Sequence, residues 1–454
     1  MTSTVTNYDG SIIARPQQLV YAESVDQIQS VLRNTRDFPS PVRAMGSNHS
    51  VTPCASSDGT IINMLRMNRI LGIDRQTTTI TAQAGLQLID AAKALRSQGL
   101  QLITNVEIGN ATLGSAACCH IKDGLDGGQM CSSATNIKWV TPAGDLAEAS
   151  EAQSPDLLHL VRSCHGLCGV IYEVTLRVKP LQHIHFTYLP RPVAKLTQKE
   201  VDDIVADSEG LMCFTVGDTA VFQIRRRAVK RGRFGPFFAN FRRRIWNHTV
   251  PHAGRSIDLY VPTAPLRSLC RYLYFAGYRV SYAALHMAGG VSLDNPDKIV
   301  DYSCTPPSSR VSFSFWGFPA GEWLEIYREY RKFADEHYKK YGFRCNCPLV
   351  SYHIPKDSSS ILSYTRNGDV LTIDPIHAFS DRSAWERYLR EFNEFSYQRK
   401  GIPLLNQTPF AEKKHFLAVH GERWREFCDW ARTVDPERRM VNGFFAELLA
   451  YDSI

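Results

Sequence analysis

The residues best suited to chemistry lie between Pro41 and Ser50, in the run Pro-Val-Arg-Ala-Met-Gly-Ser-Asn-His-Ser. The run reads as a short strand, Pro41 to Met45, that breaks at Gly46 into a polar turn. A glycine leaving a strand lets backbone N–H groups approach an anion closely. His49 follows among Ser47, Asn48 and Ser50, where the ligand of such an anion would lie. An imidazole with its ordinary pKa of about 6.5 is largely neutral near pH 7, and a neutral ring nitrogen is a nucleophile. Other polar groups suited to a site stand far along the chain: Tyr352 and His353 on a candidate strand, Asn406 and Gln407 before Thr408, and His415.

Missing motifs exclude several chemistries. No paired C-x-x-C has zinc spacing and there is no H-E-x-x-H, so no metal site is expected. No G-x-G-x-x-G follows a strand, no G-x-x-x-x-G-K-[ST] occurs, and no G-x-S-x-G elbow is present. A Rossmann dinucleotide site, a P-loop kinase and an α/β-hydrolase are therefore not supported.

Read with later stretches in order, Arg43 to Ser50 resembles the R-A-x-G-x-x-H-S loop of the vanillyl-alcohol oxidase superfamily. Those stretches are Ala84-Gly85, Ala111-Thr-Leu-Gly-Ser-Ala-Ala117, Gly166 to Val178, Asp435-Pro436 and Val441-Asn442. Within the superfamily the chain is most similar to the L-gulonolactone (aldonolactone) and alditol oxidases. The resemblance covers the first 180 or so residues and the last 40, and is loose between. It implies an α+β chain of two domains: a PCMH-type FAD-binding domain, and a substrate or cap domain with an antiparallel sheet and flanking helices. The boundaries expected are 1–180 for the flavin domain, 181–410 for the cap, and 411–454 for a segment completing the flavin site.

The resemblance also assigns residues. FAD would be bound by Arg43, Ala44, Met45, Gly46, Ser47, Asn48, His49 and Ser50. The second half of the site would be Gly109, Thr112, Gly114, Ser115 and Ala116, then Gly169, Val170 and Ile171, with Asn442 near the end. The histidine matching His49 is joined covalently to the isoalloxazine in aldonolactone oxidases, so a covalent flavin at His49 is implied. The implied reaction is oxidation of a CH–OH group of a small alcohol, polyol or sugar lactone by hydride transfer to flavin N5, with oxygen as acceptor. A base must take the hydroxyl proton: His353 or His415 would serve, Tyr352 would orient the oxygen, and Asn406 and Gln407 would face the flavin. The family's C-terminal H-W-x-K corresponds to Lys414-His415-Phe416-Leu417-Ala418, and this departure counts against sugar-lactone specificity.

Elements able to position these groups are legible locally. Ser24-Val-Asp-Gln27 is a capping box that opens a helix to about Arg36. Leu71 to Ala84 reads as a hairpin, Gln87 to Gln98 as a helix stopped by Gly99, and Gly169 to Val178 as a β-branched strand. From Leu100 to Gly128 small residues and Gly109, Gly114, Gly124, Gly127 and Gly128 suit a segment lying against a planar ligand. Ser154-Pro155-Asp156 starts a helix to about Ser163. In the cap, Ala320 to Lys340 and Ser383 to Gln398 read as helices with core-facing aromatic stripes, and Ile361 to Ile373 as a hairpin around Asn367-Gly368. Adjacent Cys118 and Cys119 read as small buried packing residues rather than a disulfide, whose ring would be strained.

At 454 residues with 44% apolar content, two globular domains are expected. The net charge of +7 is local. Thr219 to Ile257 contains no Asp or Glu but carries ten Lys and Arg, so the remainder is mildly acidic. Phe237, Phe238, Phe241, Ile245 and Trp246 share one helical face beside Arg242, Arg243 and Arg244, which suits peripheral contact of residues 225–246 with an anionic membrane. No nucleic-acid motif accompanies the stretch, so no nucleic-acid partner is expected. The competing class is a binding protein that has lost its chemistry and works through this basic surface. Met1 to Gly10 is polar without an apolar h-region, and the twelve cysteines read as reduced thiols, so a cytoplasmic location is expected.

Overall fold

The computed structural model describes residues 3–121 and 128–449, so Gly124 and Gly127 lie outside the described residues. The first half is built on two sheets. Gln18–Tyr21, Thr60–Asn63 and Val42–Met45 form a parallel three-stranded sheet with Thr60–Asn63 in the middle. The helix Val25–Arg33 covers it, packing Ile28, Val31 and Leu32 with Val42 and Ile62. Ser24 caps that helix by accepting from the Gln27 N–H, and Asn34 ends it before Arg36. The second sheet is antiparallel, in the order Leu146–Ser150, Ala134–Val140, Val170–Pro180, Thr79–Gln83, Ile70–Asp74; Leu100–Leu102 also pairs with Val170–Pro180. Its apolar face, with Ile80, Ala82, Ile137, Val174 and Leu176, packs on the helices Leu88–Ser97 and Leu113–Cys118.

After Pro180 the chain enters a different sheet. The cap sheet runs in the order Val291–Asp294, His183–Pro192, Thr219–Ala228, Gly210–Val216, Leu349–Ile354, Val370–Thr372, Trp316–Pro319, Ile402–Pro403, with every pair antiparallel. Strand alternation splits its side chains between two faces. Leu211, Cys213, Phe222 and Ile224 meet the helices Trp323–Tyr341 and Arg382–Gln398, whose Trp323, Tyr327, Tyr330, Trp385, Tyr388 and Phe392 are buried core, as their spacing predicts. Met212, Phe214, Tyr188 and Val350 point the other way. The α+β class and the antiparallel cap sheet with flanking helices agree with the sequence reading.

Three expectations change. Ile361 to Ile373 is not a hairpin; only Val370–Thr372 is a strand. The segment before it spends its hydrogen bonds on the N-terminal half instead: Ile361 N–H donates to His159 O and Leu362 N–H to Ser163 Oγ. Second, Ser154 starts the helix Pro155–Val161, but its Oγ accepts from Ser150 N–H and gives the helix no side-chain cap. Third, much of the basic stretch is an internal clamp. Arg225 and Arg242 are buried and both donate to Glu107 Oε1, at 3.0 and 2.5 Å. Arg243 donates to Ile299 O and Asp297 O. Phe238 is buried while Phe237 and Phe241 stack in the open, so one helical face does not hold all these aromatics together; the Trp246 side chain lies outside the described residues.

Candidate active site

A cavity of about 330 Å³ lies between the flavin-side loops and the cap sheet. Its floor is the predicted loop. The strand Val42–Met45 ends where Gly46 passes Thr112: a Cβ on Gly46 would stand 2.5 Å from Thr112 Oγ1, so only glycine fits. Asn48 takes a left-handed conformation, φ 54°, which short polar side chains tolerate best. The turn is held from outside: Tyr8 N–H donates to Asn48 O at 2.8 Å, Ser47 Oγ donates to Asn110 O, and Ser50 Oγ donates to Asn406 O at 2.9 Å.

Inside the turn, the N–H groups of Gly46, Ser47, Asn48, His49 and Ser50 donate to no protein acceptor among the described residues. Consecutive unpaired donors on a cavity wall are what a pyrophosphate needs. The residues present therefore fit the diphosphate part of FAD. His49 lines the same wall and stacks on Tyr8, ring centroids 4.6 Å apart. Burial, aided by Arg310, pushes its pKa down to about 4, so the ring is neutral at physiological pH and keeps a free lone pair.

Of the residues expected to hold the cofactor, Arg43 to Ser50, Thr112, Gly114, Ser115, Gly169 and Ile171 all line this cavity. Gly169, at φ 129°, passes Val140 O so closely that any Cβ would overlap it. Gly109, Ala116 and Val170 do not reach the wall. Gly109 pairs with Val300, and Ala116 and Val170 sit in the cores. Asn442 is also off the wall: it caps the helix Gly443–Leu448 and ties down the 53–56 turn by donating to Pro53 O and Ser56 O. Arg43 reaches the wall, but its guanidinium points backwards, donating to the carbonyls of Cys54, Gly166, Met440 and His165.

The catalytic candidates separate the same way. Tyr352, Asn406 and Gln407 line the cavity. His353 does not, because neighbours on a strand face opposite sides; its Nε2 meets Asp369 at 3.1 Å instead. His415 is structural: its Nδ1 accepts the Glu412 N–H in a capping box on the helix Lys413–His420, and its ring packs against Trp316 and Tyr397. Burial raises the Tyr352 hydroxyl well above its usual pKa, so it stays protonated and can donate. Both Cys118 and Cys119 line the wall as free thiols.

Sequence reasoning missed Tyr8, Glu107, His165, Tyr302 and Asp374, all on the wall. None lies in a motif, and each arrives from a separate loop or strand. The cap contributes an apolar surface from Met212, Phe214, Val311, Phe313, Val350 and Ile376.

Comparison with known proteins agrees with this geometry. A model described as an FAD binding domain matches residues 16–150, and one described as D-arabinono-1,4-lactone oxidase matches 174–448. L-gulonolactone oxidase of Scyliorhinus torazame is 20% identical over 450 residues, 96% of each chain. L-gulono-1,4-lactone dehydrogenase of Mycobacterium tuberculosis is 27% identical over 232 residues, 50% of this chain and 53% of that one. The crystal structure of cholesterol oxidase from B. sterolicum has the same fold, with a TM-score of 0.73 at 13% identity, over 99% of this chain and 97% of that one. The matched segments take in both the N–H-lined turn and the cap sheet above it: the chain belongs to the D-arabinono-1,4-lactone oxidase family and is an FAD-dependent oxidoreductase acting on CH–OH groups.

Proposed function

We propose that this enzyme carries FAD covalently attached at His49 and oxidises a CH–OH carbon lying between the flavin loop and Tyr352. The observation that carries the reading is the turn Gly46–Ser50, with its unpaired N–H donors and a buried neutral imidazole on one wall. FAD, when bound, supplies the hydride acceptor. The chain supplies the rest. Gly46 to Ser50 and Thr112 to Ser115 would hold the diphosphate. Tyr352 donates to the substrate oxygen and fixes its position, and the Asn406 amide, whose Oδ1 is buried without a partner, orients it. Asp374, a carboxylate on the same wall as Tyr352 and Asn406, is assigned the role of taking the hydroxyl proton. The division into a flavin unit (1–180), a cap (181–410) and a closing segment (411–454) belongs to this reading, as do oxygen as acceptor and a reducing, cytosolic setting for the twelve free cysteines. Peripheral contact with an anionic membrane through part of residues 225–246 belongs to it too.

Two substrate classes follow. A sugar lactone is supported by the family and by relatives named for lactones. An apolar alcohol is supported by the cap wall, where Met212, Phe214, Val311, Phe313, Val350 and Ile376 offer nothing to the hydroxyls of a sugar. Anaerobic flavin bleaching across sugar lactones, alditols and apolar alcohols tests the reading. Bleaching by none of them overturns it, and the class that bleaches fastest selects between the two.

A further inference from the structure

The helix Ala264–Met287 is 24 residues long and has no fully buried side chain. At 1.5 Å per residue it extends about 36 Å. Its inner face is accounted for: Phe275, Tyr278, Tyr282 and Leu285 pack on the cap sheet, with the Tyr282 ring against Tyr188 and Phe214. Its outer face carries Leu266, Leu269, Leu273, Val280 and Met287, at intervals of three, four, seven and seven residues, which places them in one stripe. Leu269 is 53% exposed, Leu273 58%, Val280 70% and Met287 81%. Such a stripe normally faces a core, and here it faces solvent.

The surface continues beside this helix. Leu259 and Tyr260, which end the preceding helix Val250–Tyr260, are exposed, and so are Phe234, Phe237 and Phe241 around the helix Gly235–Arg244. The helices Gly235–Arg244 and Ala264–Met287 lie on the same face of the cap sheet, because Tyr188 touches Phe238 of one and Tyr282 of the other. Charge identifies what covers the surface. From Thr219 to Leu293 there are thirteen Lys and Arg and a single acid, Asp258, which is paired with Arg271. Lys230, Arg233, Arg244, Arg267 and Arg279 have no carboxylate partner among the described residues. A second copy would set positive charge against positive charge. No described helix is long and apolar enough to cross a membrane, so the stripe is not a span.

We propose that this face docks onto an anionic lipid bilayer, with the helix Ala264–Met287 lying in the plane of the interface. An apolar stripe sunk into the headgroup layer with unpaired cations beside it is the arrangement of interfacial helices. The docked face is one side-chain layer from the cavity, since Phe214 packs against Tyr282 on this side and also lines the cavity wall.

Flotation of the purified holoenzyme tests this with phosphatidylcholine vesicles containing roughly one-quarter phosphatidylglycerol, at low salt, against pure phosphatidylcholine. The protein floats with the anionic vesicles and stays behind with the neutral ones. In Leu269→Ser/Leu273→Ser/Val280→Ser the bound fraction falls at least about tenfold, with flavin content and melting temperature unchanged, because all three side chains are exposed. Lys230→Glu/Arg233→Glu weakens binding as well. Failure to float with anionic vesicles, or a stripe variant that floats like the parent, overturns the proposal. So does a dimer that the stripe variant breaks, which would show a second copy on this face. A yellow, active enzyme that does not float sinks the docking proposal alone, whereas a colourless protein that floats sinks the flavin reading alone.

Discussion

Arg43 Nη1 donates to Met440 O at 2.8 Å across 397 residues of chain. The same guanidinium, stacked on Phe445, also reaches the carbonyls of Cys54, Gly166 and His165. One side chain thus joins the base of the 46–50 turn to the loop before Gly169 and to the C-terminal segment. The matching position in the family loop reads as a phosphate ligand from sequence, but here it is the peg that sets the turn's shape.

Arg43→Lys follows directly from this. An ammonium cannot serve four carbonyls arranged around a planar fork, so buried acceptors are left unpaired. The variant is expected to lose about 2–4 kcal/mol of stability in urea unfolding and to retain less flavin.

Tyr352 and His353 make a paired test of the site. Tyr352→Phe removes the donor on the cavity wall and should lower kcat/KM by about 10–100-fold, the usual cost of a lost substrate hydrogen bond. His353→Asn, on the opposite side of the strand, should stay within about twofold of the parent. Asp374→Asn should lower kcat by about 10²–10⁴-fold with little change in flavin content, as loss of a general base does. Steady-state kinetics on the three variants checks all of this, and equal losses at Tyr352 and His353 would refute the assignment.

How much of this was legible depended on distance along the chain. Gly46, Asn48 and His49 stand in one contiguous motif, so the sequence carried them, although the approach of Thr112 that requires Gly46 was out of its reach. Tyr352 and His353 were both visible as candidates, but the phase of the strand, which decides between them, is set by pairing with Met212 on a distant strand. The Glu107 clamp could not be seen, because its partners lie 118 and 135 residues away. His415 misled because a histidine at the third position of a helix looks the same whether it caps or catalyses.

The Glu107 clamp gives its own expectation. Glu107→Ala leaves Arg225 and Arg242 buried without this carboxylate, which should cost about 3–5 kcal/mol. The loss would show in equilibrium unfolding, together with loosening of the loop around Glu107 from the strand Thr219–Ala228 and the helix Gly235–Arg244.

Acid should destabilise the fold through buried histidines. Burial pushes His377 down to about 4 and His420 to about 3. Each ring stays neutral in the folded protein, while in the unfolded chain it binds a proton below about 6.5, so the unfolded state holds more protons in that window. Stability therefore falls as pH drops from about 6.5 toward 4, by up to about 3 kcal/mol per histidine, and is flat for these groups above about 6.5. His420→Gln should flatten the slope of stability against pH even where it lowers stability overall. An unchanged slope would show that His420 is protonated in the fold.

The central claim is that His49 carries the flavin, and a peptide map tests it most directly. Trypsin releases Ala44 to Arg66 as one peptide containing His49. The account predicts that this peptide, from protein denatured in acid, carries the mass of the flavin and its yellow absorbance, and that His49→Ala loses both while still binding FAD reversibly. An unmodified Ala44 to Arg66 peptide from the parent protein, with all the flavin free in the acid supernatant, would contradict it.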